Sequence, residues 1–254
     1  MKAGRRALLS AIALLCALSV GADDVRQGFG DRYGDAVHYV ESRADVWCSR
    51  LRAMGADARV LVPAVFPEIL KYTSFRDDIE TLGLAVLYVS GGTARGNFSI
   101  GRFQMKPSFV EALETQVARR PALPAILRAI TGFPGGATEK DRRTIRIERI
   151  RSEEWQLTYL GAFYAVVADR FDLHGLSVEE QVRFVSAAYN RGFLNTAEEI
   201  RRAEGFRIFP RGAGGRPGPY RYTDIAVDFF ESTWDAMYAV RANNTGGSAR
   251  AVRP

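Results

Sequence analysis

One carboxylate in this sequence stands where carboxylates are seldom found. The run Val60-Leu61-Val62-Pro63-Ala64-Val65-Phe66-Pro67-Glu68-Ile69-Leu70 is apolar at every position except Glu68. Desolvation disfavours the charged form, so a glutamate held in such a run has a raised pKa and can donate a proton near neutral pH. Pro67 beside it departs from the rule of helix interiors, where a proline costs about 3 kcal/mol, and such departures gather at functional sites. A glutamate that merely sits at a kink and points to solvent would fit the same residues.

Two later stretches could supply the rest of a site. In Asn97-Phe98-Ser99-Ile100-Gly101-Arg102-Phe103-Gln104-Met105-Lys106-Pro107-Ser108-Phe109, Gly101 allows close backbone approach. Gln104 offers both a donor and an acceptor beside apolar Phe103 and Met105. A sugar shows hydroxyls and amides at its edge and C–H groups on its face, and this surface suits it; a hairpin around a packed aromatic is the plainer alternative. In Ser186-Ala187-Ala188-Tyr189-Asn190-Arg191-Gly192-Phe193, Tyr189 and Asn190 close a helix that Gly192 stops. Tyr189 could reach across to a carboxyl group while its ring packs, although an ordinary helix end with a core tyrosine accounts for the same residues.

The elements that must position these residues are helical almost throughout. Apolar spacing gives helices over 33–54, 59–72, 77–89 and 107–118. A charged-then-apolar pattern spans 139–171 as one helix. Ser177 with Glu180 forms a capping box that opens a helix running to Asn190, and a last helix covers 222–240. The glycine-broken 90–106 stretch reads as a loop or short hairpin, and 205–220, with its glycines and prolines, as a long loop. The fold class is mostly α.

The N-terminus has the form of a signal peptide: Lys2, Arg5 and Arg6 precede an apolar run from Ala7 to Val20, with small residues up to Ala22. Cleavage is expected after Ala22, giving a secreted or periplasmic product, because the run falls short of the roughly 20 residues a bilayer span needs. Cys16 follows Leu15, where a lipidation site would want a small residue. Removing the leader lowers the formal net charge from +6 to +3 and leaves Cys48 as a lone, buried thiol. The organisation expected is a signal peptide over 1–22, a helical extension over 23–56, one domain over 57–241 and a disordered tail over 242–254. With only His38 and His174 in the chain, neither a zinc site nor a nucleophile–histidine pair is expected. The arginine-rich run 142–151 is broken or flanked by Glu148, Glu153 and Glu154, which argues against a nucleic-acid partner.

Taken in order, these segments resemble the soluble lytic transglycosylase family of the lysozyme-like superfamily. Gly101 to Ser108, GRFQMKPS, is similar to that family's Gly-Leu-Met-Gln-Leu/Ile-Met-Pro-Ser/Thr motif, and Ala187 to Gly192, AAYNRG, to its Ala-Ala-Tyr-Asn-Ala-Gly motif. Val60 to Glu68 resembles the helix that ends in its catalytic Glu-Ser pair, Trp155 to Phe171 the helix before Ala-Tyr-Asn, and Tyr220 to Asp228 its tyrosine-bearing last helix. Two departures are plain: Ile69 stands where the family has serine, and 36 positions separate Glu68 from Gln104, more than is usual. A second acid, Glu80, lies 24 positions before Gln104, a spacing nearer the family's. Glu68 is preferred because the apolar helix before the acid belongs to the fold, whereas loop length varies freely.

The resemblance implies a lysozyme-like helical domain with a loop or β-hairpin beside the active site, acting on peptidoglycan glycan strands. It implies Glu68 as the single acid–base group, with Ser99, Gly101, Gln104 and Met105 facing substrate, Tyr189 orienting the acid and Asn190 holding local geometry. No metal or organic cofactor is implied. Two alternatives stay open: a hydrolysing muramidase, in which Asp77, Asp78 or Glu80 activates water, and a catalytically silent peptidoglycan-binding or cell-wall assembly protein.

Overall fold

The computed structural model describes residues 22–74, 78–210 and 218–248, with side chains described over 25–72, 83–210 and 218–241. The expected signal peptide, with Cys16, therefore lies outside the described residues, apart from Ala22 at its end. So do Asp77 and the side chains of Asp78 and Glu80. The described chain is mostly helical, with one small antiparallel pair of strands, and none of its helices is long and apolar enough to cross a membrane.

The chain opens with α1 (Ala22–Phe29) and α2 (Asp31–Ala53), separated at Gly30, whose φ of 53° turns the backbone. Next comes α3 (Ala58–Ser74), the helix that carries Glu68. Val60, Leu61, Ala64, Val65, Phe66, Ile69 and Leu70 are all fully buried, as expected of a helix apolar on every side. At about 1.5–3 kcal/mol for each large side chain buried, this packing offsets the strain of Pro63 and Pro67, both inside the helix. The chain continues through α4 (Asp78–Gly91), α5 (Pro107–Ala118) and the single turn α6 (Ala125–Arg128). There follow α7 (Glu139–Arg151), α8 (Glu153–Arg170), α9 (Val178–Arg191), α10 (Ala197–Ala203), β1 (Arg207–Phe209), β2 (Tyr220–Arg221), α11 (Tyr222–Phe229) and α12 (Asp235–Ser248). Helices α2, α9 and α11 pack around α3, and Phe66 of α3 stacks on Phe229 of α11 at 3.8 Å.

Three expectations are corrected in detail. The helix read over 139–171 is two helices, broken at Ser152, whose extended backbone and hydroxyl cap α8 at the Trp155 N–H. The loop over 205–220 contains β1 and is closed by β2, with Arg207 opposite Arg221. The last helix changes pitch to a π-turn over Phe230–Trp234 before α12, whose backbone continues to Ser248, inside the stretch expected to be a tail. The capping box at Ser177 and Glu180 forms as read.

The N-terminal helices are fastened to the body. Asp228 of α11 accepts from the Tyr33 hydroxyl at 2.6 Å and from Arg26 at 3.1 Å. Glu153 at the start of α8 accepts from Tyr39 at 2.6 Å and from the Trp47 indole at 3.0 Å. The arginine run is partly internal: Arg146 and Arg149 are buried, and the Arg149 guanidinium donates to the Ile130 carbonyl at 2.8 Å and to that of Gly132. Those side chains hold the Pro/Gly-rich 122–138 stretch in place and are not available to an external partner.

Candidate active site

Glu68 lies one and a half turns from the end of α3, where the helix leaves the core for a cleft. Its side chain is only 13% exposed, and its Oε2 is buried without a hydrogen-bond partner. Buried polar atoms nearly always find partners, so an orphaned carboxylate oxygen calls for an explanation. Burial pushes the Glu68 carboxyl up to about 7, against the opposing charges of Lys71 and Lys106. Lys71, a turn further along α3, has its ammonium 3.9 Å from Oε2, beyond hydrogen-bond reach. The carboxyl is thus poised between its acid and base forms at neutral pH.

The facing wall is the turn between Ile100 and Met105. Their backbones exchange two hydrogen bonds, at 2.9 and 3.0 Å, closing a tight hairpin of one residue pair. Gly101 is required twice over: its φ is 71°, and a Cβ there would stand 1.8 Å from the Gln156 amide nitrogen. Gln104 is the only non-glycine residue with positive φ among the described residues, at 51°. Its amide steadies that strained conformation by donating to the Gly101 carbonyl at 3.0 Å. Behind the turn, buried Gln156 accepts from the Phe103 N–H at 2.9 Å and donates to the Ile150 carbonyl at 2.8 Å. Phe103 packs edge-on against Trp47 at 5.2 Å. The Arg102 guanidinium lies between the rings of Tyr39 and Tyr72, at 4.5 and 4.2 Å. Tyr72 is one turn beyond Glu68, so this sandwich ties α2, the turn and the acid-bearing helix together.

The third wall is the end of α9. Tyr189 is buried, but its hydroxyl donates to the Phe103 carbonyl at 2.7 Å. The expectation that it reaches a carboxyl group is corrected: Tyr189 pins the turn, and Glu68 touches it only through its charge, which together with burial raises the phenol well above its ordinary range. Tyr222, at the start of α11, was not singled out by the sequence. It is fully sheltered, its hydroxyl has no hydrogen-bond partner, and burial together with the charges of Glu68 and Tyr189 holds its phenol protonated. Two polar atoms, Glu68 Oε2 and the Tyr222 hydroxyl, are therefore buried and unpartnered, and the charge of the first raises the second.

Between these walls lies a cleft of about 480 Å³. Glu68, Ser99, Gln104, Met105, Tyr189 and Asn190, all expected at the site, line it together; Gly101 shapes the turn from behind. Sequence reading missed its cationic members Lys71, Lys106 and Arg191, and also its apolar end, formed by Phe109, Phe193, Leu194, Ile208 and Phe209. Ile208 and Phe209 belong to β1, inside a stretch read as loop, and no local signal pointed to them. Neither α1 nor α2 lines the cleft; they brace it from outside. Glu80 falls on α4, and its side chain lies outside the described residues. Among the described residues no group of His, Cys, Asp and Glu could hold a metal ion. Such a lining can shelter one proton on one carboxyl group beside amide and hydroxyl donors and an apolar surface, an arrangement fit for acid–base work on a polar, ring-shaped substrate. Compared with protein-family models, with curated proteins and with solved structures, the chain matches none.

Proposed function

We propose that this chain is a peptidoglycan lytic transglycosylase with a lysozyme-like helical fold, exported to the periplasm or beyond, in which Glu68 alone carries the acid–base chemistry. The observation that carries this reading is the buried, unpartnered carboxyl of Glu68 facing Gln104, Ser99 and Asn190 across a cleft. Glycoside cleavage ordinarily employs two carboxyl groups about an oxocarbenium-like transition state. The family that the sequence resembles uses a variant that needs one, and Glu68 is placed in that role.

In the first step the Glu68 carboxylic acid protonates the glycosidic oxygen between N-acetylmuramic acid and N-acetylglucosamine, and the bond from muramoyl C1 to that oxygen breaks. In the second, the carboxylate takes the proton of the muramoyl C6 hydroxyl, whose oxygen bonds to C1. A 1,6-anhydro sugar is released and Glu68 regains its proton, so no water is consumed. A carboxyl titrating near neutrality serves both steps. Gln104, Ser99 and Asn190 position the N-acetyl and hydroxyl groups, and Tyr222, whose buried phenol feels the charge of Glu68, is given the part of orienting the acid.

The test is digestion of purified sacculi by the mature protein, with mass spectrometry of the products. Wild type should release fragments ending in 1,6-anhydromuramic acid, and Glu68→Gln should lower that rate by about 10²–10⁴-fold while still binding glycan. Ordinary reducing ends would favour a hydrolase, and binding without any cleavage by wild type would favour a silent wall-binding protein.

A further inference from the structure

The charge around the acid carries information about the substrate. Three cations, Lys71, Lys106 and Arg191, line the cleft, and Glu68 is the one carboxylate among its described lining residues. Elsewhere several cations are paired with carboxylates: Arg146 has Glu114, Arg26 has Asp228, and Arg183 has Asp224. Lys106 and Arg191 have no carboxylate partner among the described residues, and the Lys71 ammonium stands 3.9 Å from Glu68 Oε2, beyond hydrogen-bond reach. Arg191 is an exposed lining residue whose guanidinium lies over the Phe206 ring at 5.3 Å. Lys106 and Arg191 also occupy motif positions that hold methionine and alanine in the family the sequence resembles. Unpaired cations gathered around a concave site attract anions and recognise them at short range.

We propose that Lys71, Lys106 and Arg191 form a carboxylate-recognising subsite, so that the cleft selects glycan strands with a free carboxylate near the scissile bond over neutral β-1,4-linked strands. This rests on the glycan-strand reading above and deepens it by naming what the site discriminates. The carboxylate recognised lies within a few ångströms of the reacting atoms, because Lys71 is itself next to Glu68. It is carried either on the lactyl group of a peptide-free muramoyl ring or on the first residues of a stem peptide. A bound carboxylate also offsets the two lysines that favour ionised Glu68, so substrate binding loads the acid with its proton.

The experiment measures binding to the full mature chain carrying Glu68→Gln, so that cleavage does not enter. Three strands are compared at low salt: peptide-free strands with free lactyl carboxylates, the same strands with those carboxyl groups converted to methylamides, and strands that keep their stem peptides. Free carboxylates should strengthen binding at least tenfold over the methylamide strands, with the ratio shrinking as salt rises. Tighter binding of the peptide-free acid assigns the lactyl group as the source, and tighter binding of the stem-bearing strand assigns the peptide. Adding Lys106→Met and Arg191→Ala should bring the ratio close to one. Removing Arg119 and Lys140, two cations away from the cleft, should leave it unchanged. Equal binding of the acid and methylamide strands, or the same loss from the distant pair, overturns the proposal. Absence of cleavage by wild type would overturn the enzymatic reading alone, because the binding ratio is read independently.

Discussion

Two buried carboxyl groups in this molecule lead opposite lives. Glu114, on α5, is buried against α7 and α8, where its Oε2 receives the Arg146 guanidinium at 2.8 Å and its Oε1 the Tyr159 hydroxyl at 3.0 Å. Tyr88 and Glu111 extend the network, joined at 2.7 Å. The surroundings hold Arg146 firmly charged, and donors at both Glu114 oxygens oppose the burial that raises its carboxyl. Glu68 is sheltered to a similar degree, yet its Oε2 has no donor and its nearest cation stands off at 3.9 Å. Burial raises both carboxyls, but only at Glu114 do donors answer it. The difference separates a structural carboxylate, satisfied and inert, from one kept able to exchange its proton.

If that contrast is right, removing the partner should hurt at one site and removing the carboxyl should help at the other. Arg146→Met strands an unpaired carboxylate in the interior and should cost about 3–5 kcal/mol in chemical denaturation at pH 7. A cost below about 1 kcal/mol would mean that Glu114 protonates readily, and the contrast would weaken. At Glu68 the pKa is raised from an ordinary 4.5 to about 7 on folding, so the folded state favours the protonated form. The associated stability is complete below pH 4.5 and is lost as pH rises through 7, a decline of roughly 3 kcal/mol. Glu68→Gln should therefore be more stable than wild type at pH 8 and close to it at pH 4, as thermal melts across that range would reveal. A variant less stable than wild type at pH 8 would contradict the sheltered, unpartnered description.

The tyrosines sharpen the comparison with smaller effects. Tyr159→Phe removes a donor from a charged acceptor and should cost about 1.5–3 kcal/mol. Tyr222→Phe removes a hydroxyl that has no partner in the protein, and should leave stability within about 1 kcal/mol of wild type or raise it. On the proposed mechanism it should still lower turnover. Equal destabilisation by the two changes would show that Tyr222 has a structural partner after all.

Local patterning was enough to single out Glu68 and one wall of the cleft it lines. Glu68 was conspicuous because one charge interrupts a helix apolar on every side, and Gly101 with Gln104 because glycines break the helical period just there. The capping box at Ser177 fixed the start of the helix that presents Tyr189 and Asn190. What escaped depends on distance in sequence. The Tyr189 hydroxyl is taken by the Phe103 carbonyl, the buried Tyr222 phenol feels the charge of Glu68 more than 150 positions away, and Arg102 is held between Tyr39 and Tyr72. None of these leaves a periodic trace. Neither do the strands at Arg207 and Tyr220, whose pairing spans a Gly/Pro-rich stretch, or the break at Ser152, where one hydroxyl ends a pattern that reads as continuous.

The most direct measurement is a carbon-13 NMR titration of the Glu68 side-chain carboxyl in the mature protein, assigned by its loss in Glu68→Gln. A midpoint near 7 is expected, well apart from the exposed glutamates. A midpoint at 4 to 5 would mean that the carboxyl is solvated or paired, and the acid–base role assigned to it would fall.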